Sequence, residues 1–314
     1  MVMGQTGDSA TITNIKKDLY LDQPKWKQFL LYVNDVSPIA VHSKEGIDKK
    51  ELSGLFIGGA TNLAIKVPYL RKSYLTKKEV WDVLMEALPG TMMLAAAAML
   101  LATILGITLG VIAAVKKDSW MDTLSVFTSI LGISAPSFFM GILIAYLFGF
   151  VLSNYTGLNM TGSWFDIDVQ TGEKKLTLHN LILPAITLGI RPLAIITQLT
   201  RSAMLDVLNQ DFVRTAYAKG LSKRTVIWKH ALRNALNPVI TAVTGWFAEL
   251  LAGAFFVEYI FGWRGIGKVT VDALEKLDYP VVMGSVLLSA FIFVLINILA
   301  DVLYGVVDPR VRVK

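Results

Sequence analysis

The chain has 314 residues, of which 54% are hydrophobic and 17% charged. Soluble domains run at roughly 45–50% apolar and about 25% charged, so the composition indicates a membrane class. Zero cysteines exclude a disulfide framework and a thiolate metal site, and the net charge of +6 comes without the basic, aromatic-interleaved motifs of nucleic-acid readers.

Residues 1–88 are mixed and charged, and long uncharged runs dominate after Pro89. The N-terminal segment carries Lys16, Lys17, Lys25, Lys27, Lys44, Lys49, Lys50, Lys66, Arg71, Lys72, Lys77 and Lys78. Met1 to Ala10 has neither a basic n-region nor an apolar h-region, so no signal peptide is visible. A helix needs about 20 apolar residues to cross ~30 Å of hydrocarbon. Five segments reach that length: 91–115, 123–152 (interrupted by Pro136), 181–200 (with Arg191), 236–257 (with Glu249) and 279–300.

Orientation follows from the basic residues of the short loops, because cytoplasmic loops hold the excess. Loops 116–122, 201–234 and 308–314 hold 12 Lys and Arg, whereas 153–175 and 258–278 hold 5. This places the C-terminus and the 201–234 loop inside. Residues 1–88 then lie outside with no apolar segment before them to carry their charge across. A further span upstream of Met1 is the expectation, and a natural five-span chain the alternative.

The 201–234 loop reads as helix, sharp break, helix. Met204, Leu208, Phe212 and Ala216 recur at a spacing of four and predict one apolar stripe. Lys219 suits a helix C-terminus, Gly220 a left-handed cap and Ser222 the N-cap of the next helix. That second helix sets Val226, Ile227, His230 and Ala231 on one side and Lys223, Arg224, Lys229 and Arg233 elsewhere. Such an element either docks in a groove of another protein or lies on lipid headgroups.

The stretch Asp211-Phe-Val-Arg-Thr-Ala-Tyr-Ala-Lys-Gly220-Leu-Ser-Lys-Arg, followed by His230-Ala-Leu-Arg-Asn-Ala-Leu-Asn-Pro238, resembles the signature loop of binding-protein-dependent ABC importer permeases. Gly220 and Ala216 match the general signature. Arg214 and Thr215 replace its Glu-Ala, His230 its Ile and Arg233 its Pro, departures that resemble the dipeptide, oligopeptide and nickel branch. The resemblance continues through Leu199-Thr-Arg-Ser-Ala-Met-Leu205, Leu251-Ala-Gly-Ala254, Phe261-Gly-Trp-Arg-Gly-Ile-Gly267, Asp278-Tyr-Pro-Val281 and Asp301-Val-Leu-Tyr-Gly-Val-Val-Asp-Pro-Arg310, and covers most of residues 80–314. Leu19-Tyr-Leu-Asp-Gln-Pro-Lys-Trp26 is similar to the segment that follows the family's first span.

The resemblance implies an all-α, polytopic ABC type I importer fold, divided as an external segment 1–87, a permease domain 88–304 and a cytoplasmic tail 305–314. It implies an ATPase-coupling loop of Asp211, Arg214, Ala216, Lys219, Gly220, Leu221, Ser222, Val226, His230, Leu232 and Asn234. The implied partners are a second permease in a heterodimer, two cytoplasmic ATP-binding subunits and an external solute-binding protein. Peptides are the expected solute, with nickel chelates, glutathione and oligosaccharides as alternatives; no cofactor or metal is expected.

Gly262-Trp-Arg-Gly-Ile-Gly-Lys268 fits the first seven positions of a phosphate-binding loop, but Val269 stands where the Mg²⁺-ligating hydroxyl belongs and the segment falls in an outside loop. No H-E-x-x-H or G-x-S-x-G set is present, so catalysis by the chain itself is not expected. Gly106 and Gly110 form a GxxxG pair suited to helix packing. Charges at the middle of a span cost roughly 2.5–3.5 kcal/mol on insertion scales and normally face protein or water. Arg191 and Glu249 therefore either flank the solute pathway or form a structural ion pair. In the rival class, an ion-coupled secondary transporter, they are coupling groups.

Overall fold

The computed structural model describes residues 20–59, 61–167 and 172–307. Lys16, Lys17, Leu19 and the tail from Asp308 to Lys314 lie outside the described residues. The chain divides into two compact units, one within Met1–Glu86 and Asp272–Ser285, the other within Ala87–Val271 and Val286–Lys314.

The first unit is a small α/β layer. Helix α1 (Lys25–Val36) leads into β1 (Ile39–Ser43), helix α2 (Lys44–Lys50), β2 (Gly54–Gly58) and β3 (Thr61–Lys66). The antiparallel sheet has the order β1-β3-β2, with Ile39 opposite Ile65 and Val41 opposite Leu63. Because strand side chains alternate, Ala40, His42, Asn62, Ala64 and Lys66 turn inward. On this inner face Asp35, at the end of α1, is 1% exposed and accepts from the Tyr20 hydroxyl at 2.9 Å and the Lys50 ammonium at 2.5 Å. Lys66 Nζ donates to the Asp35 carbonyl, and burial pushes its ammonium down to about 8. Farther on, Asp278 accepts from Ser73 Oγ at 2.5 Å and from the Tyr74 N–H at 3.0 Å, closing the turn before the first long helix.

The second unit is built from long apolar helices. Helix α3 (Val80–Val115) is followed by α4 (Trp120–Ser134), α5 (Ser137–Tyr146, wound more widely over Leu147–Val151) and the short α6 (Ser153–Thr156). After the hairpin β4 (Phe165–Ile167) and β5 (Lys174–Leu176), α7 (Ile182–Leu208) crosses back. The segment beyond it contains α8 (Asp211–Ala218), α9 (Lys223–Thr225), a wide turn over Val226–Ala231 and α10 (Leu232–Ala235). Helices α11 (Asn237–Gly253), α12 (Phe255–Ile260), α13 (Ile266–Glu275) and α14 (Tyr279–Val307) complete the chain.

Among the described residues, three helical stretches are long and apolar enough to cross a membrane: Val80–Val115, Leu178–Leu208 and Tyr279–Ala300. The other two segments expected to span take different forms. Segment 123–152 bends by 108° between Ser134 and Ser137. Pro136 has no N–H to give the ladder and forces Ala135 into extended backbone (ψ 130°), so the rod becomes two half-helices. Segment 236–257 ends its helix at Gly253, after 17 residues or about 26 Å of rise, and restarts as α12.

The core of this unit comes from close approach of α3 and α7. A Cβ on Gly106 would meet Ile196 Cγ2 at 2.8 Å, and one on Gly110 would meet Thr200 Cβ at 2.6 Å. The GxxxG pair is thus a packing seam, and Leu94, Ala98, Ala102 and Ile196 are buried along it.

Candidate functional site: a kinked elbow beyond the third long helix

The elbow begins where α7 stops at Leu208. Its carbonyl ladder breaks over Asn209 and Gln210, so α8 is a separate helix starting at Asp211. The expected stripe at spacing four runs across this break, and Met204, Leu208 and Ala216 pack into one core while Phe212 does not. Phe212 is 37% exposed, and α8 turns Val213 inward in its place, beside Ala216.

The C-terminus of α8 closes as the residue types dictate. Lys219 takes the cap position and Gly220 follows at φ +77°. The Gly220 N–H reaches the Tyr217 carbonyl at 2.9 Å and the Leu221 N–H the Ala216 carbonyl at 3.3 Å. This pair of bonds is the Schellman arrangement, which needs a left-handed residue where Gly220 sits. Ser222 caps α9 by accepting from the Thr225 N–H at 3.3 Å.

One side of the elbow is cemented to the bundle. Val213, Ala216, Val226, Ile227, Ala231 and Ala235 form a core with Val111, Ala114, Met204 and Val207, the ends of α3 and α7. His230 and Leu232 are half-buried at its margin, and Asn234 Nδ2 donates to the His230 carbonyl at 2.7 Å. The opposite side is open. Asp211, Arg214, Lys219, Gly220, Leu221 and Ser222 are exposed there, as are the cations of Lys223, Arg224 and Lys229. Asp211 and Arg214 lie 3.6 Å apart, a solvated pair that contributes little. Sequence reasoning missed the aromatic part of this face: Phe212, Tyr217 and Trp228 are 37%, 43% and 44% exposed among the basic residues.

A clamp holds the base of the elbow. Arg201, on α7, donates to Asp122 through Nε at 2.5 Å and Nη2 at 2.8 Å. Asp122, in the first turn of α4, also accepts from the Asp118 N–H at 3.0 Å and gives its own N–H to the Ser119 cap. The spacing Ser119-x-x-Asp122 was the available sequence signal for a helix start here.

Arg191 and Glu249 come together differently from a simple ion pair. Both are exposed, and both line a cavity of about 90 Å³ with Ser137, Met140, Thr187 and Trp246. Arg191 lies over the Trp246 ring at 5.5 Å, and no salt bridge joins it to Glu249. Pro192 also lines this cavity, which takes residues from α4, α5, α7 and α11.

The segment that mimics a phosphate loop is a cradle for one buried carboxylate. Glu258, 0% exposed, accepts from Thr91 Oγ1 at 2.7 Å and from the Lys268 N–H at 3.1 Å. A Cβ on Gly265 or Gly267 would lie 2.4 or 2.9 Å from its oxygen, so these glycines make room for Glu258. Trp263 donates to the Gly90 carbonyl at 2.9 Å. Among the described residues no group of His, Cys, Asp and Glu is arranged to hold a metal.

The arrangement superposes on a solved structure of the MetNI methionine ABC transporter in an inward-facing conformation, with TM-score 0.57 and 13% identity over 73% of this chain and 97% of that one. A second crystal form of that transporter gives TM-score 0.57 at 16% identity. The fold is that of an ABC-transporter permease. Residues 106–313 match the family of binding-protein-dependent transport system inner membrane components, and the chain belongs to that family. It is 45% identical over 254 residues to a dipeptide transport system permease of Haemophilus influenzae, covering 76% of each chain. The Escherichia coli K12 dipeptide permease is 37% identical over 95% of this chain and 84% of that protein. A glutathione transport system permease of the same strain is 33% identical over 100% of this chain and 88% of its own length.

Proposed function

We propose that the chain is one of the two membrane-spanning subunits of an ATP-driven peptide importer, paired as a heterodimer with a second permease and working with two ATP-binding subunits and an external binding protein. Its domains run as 1–87 outside, 88–304 permease and 305–314 inside, in the cytoplasmic membrane. The observation that carries the reading is the elbow around Gly220. One face is buried against the ends of two long helices and the other leaves aromatic and basic side chains exposed. A short helix rigidly joined to the bundle transmits a push, so closure of the ATP-binding subunits would move α3 and α7 and shift access across the membrane. Each step draws its energy from tighter binding in one state than in the other.

Arg191 and Glu249 supply opposite charges at one cavity and suit the carboxylate and ammonium ends of a short peptide. Similarity to proteins named as dipeptide permeases supports the same solute class. Uptake of labelled di- and tripeptides into proteoliposomes of the purified assembly tests this. Uptake is expected only with ATP inside, with a co-purifying Walker-type ATPase, and with competition among peptides of different side chains. Uptake by the chain alone, driven by an ion gradient, would replace this reading with a secondary transporter.

A further inference from the structure

In helix α1, Trp26, Phe29, Leu30 and Val33 are 66%, 66%, 55% and 46% exposed. Their spacing of i, i+3, i+4 and i+7 aligns them on one stripe. The opposite side of α1 is the one that packs inward, ending at the buried Asp35. At about 100° per residue, exposed Lys25 and Lys27 project near 90° to either side of the stripe. The helix carries no acidic residue apart from Asp35.

An apolar stripe headed by Trp and bordered on both sides by Lys is the pattern of a helix lying in a bilayer interface, with rings among the acyl ends and ammonium groups snorkelling to phosphates. The position in the chain agrees. The same compact unit contains the first turns of α3, through Glu86, and of α14, from Tyr279 to Ser285, both of which run on into membrane-crossing helices. The other apolar surface of this unit differs in chemistry. The outer face of the sheet is formed by Ile39, Val41, Leu55, Ile57, Leu63 and Ile65, all at least 50% exposed, with no Trp and no cation among the six. That composition suits a protein contact.

We infer that α1 is an interfacial anchor that seats its Trp26-Phe29-Leu30-Val33 stripe in the lipid surface, with Lys25 and Lys27 on anionic headgroups. The inference uses only the chain's membrane-spanning character and holds whatever the transported solute.

Since the chain has no cysteine, single substitutions carry a spin label without background. Phe29→Cys, Leu30→Cys and Val33→Cys, with Val41→Cys on the sheet face for comparison, are reconstituted as the full chain in nanodiscs of phosphatidylethanolamine and phosphatidylglycerol. Collision with oxygen and with a water-soluble nickel chelate reads the surroundings. The α1 labels are expected to favour oxygen over nickel by roughly threefold or more relative to Val41→Cys, as buried apolar rings in an interface require. Equal nickel access at both positions overturns the anchor, and shielding from both reagents assigns the stripe to a protein contact and overturns it as well. Lys25→Glu with Lys27→Glu should make the labels shallower only in discs containing phosphatidylglycerol. No change overturns the headgroup pairing.

Discussion

Gly220 occupies a backbone region that costs an L-residue roughly 1–2 kcal/mol, yet an added Cβ there would meet nothing within 4 Å. Substitution therefore acts through the backbone alone. Gly220→Val is expected to lower solute uptake about tenfold, since misdirecting α9 by one residue's torsion shifts the whole outer face, while Gly220→Asn, which tolerates this conformation, should keep most of it. Uptake normalised to the amount of protein in the membrane checks this. Arg191 and Glu249 make a second test. Both line one cavity without bonding each other, so exchanging them (Arg191→Glu with Glu249→Arg) should alter which peptides compete for uptake. Full restoration with unchanged preference would instead mark them as a structural pair closed in another conformation.

Among the elements, the α3–α7 seam is close-packed, and inserted methylenes in such a place cost about 1–3 kcal/mol. Gly110→Leu should leave little protein folded after mild heating in detergent, with Gly110→Ala intermediate. Gly245→Ala, where an added Cβ meets nothing within 4 Å, should match the unaltered chain by size-exclusion chromatography. The elements differ in how far the sequence disclosed them. Long apolar runs announced α3, α7 and α14, and the Gly220 cap and Ser222 N-cap were readable because a cap depends on neighbours within a few residues. The bend at Pro136 was visible as a residue but its 108° was not, for the angle depends on what α5 packs against. The spacing of Met204, Leu208, Phe212 and Ala216 concealed the break at Asn209, because period alone does not register a lost hydrogen bond. Glu258 and its glycine cradle were unreadable for a different reason. Thr91 lies 167 residues from Glu258, and only the fold brings the hydroxyl to the carboxylate.

At the level of the whole molecule, one core joins the ends of α3 and α7 to the inner side of the elbow, and the Asp122–Arg201 clamp ties α4 to the same base. Force applied to the outer side reaches three helices at once. Under the proposed function the aromatic and basic residues of that side would be the grip of an ATP-binding subunit, and Tyr217 is exposed among them. Replacing Tyr217 by a photo-crosslinking amino acid in the intact assembly, followed by illumination with and without a non-hydrolysable ATP analogue, tests the coupling directly. A crosslink to a nucleotide-binding subunit, with a yield that changes with nucleotide, is the expected result. Crosslinking to lipid alone, or reaction of this position with a membrane-impermeant reagent added from outside intact cells, would rule the coupling out.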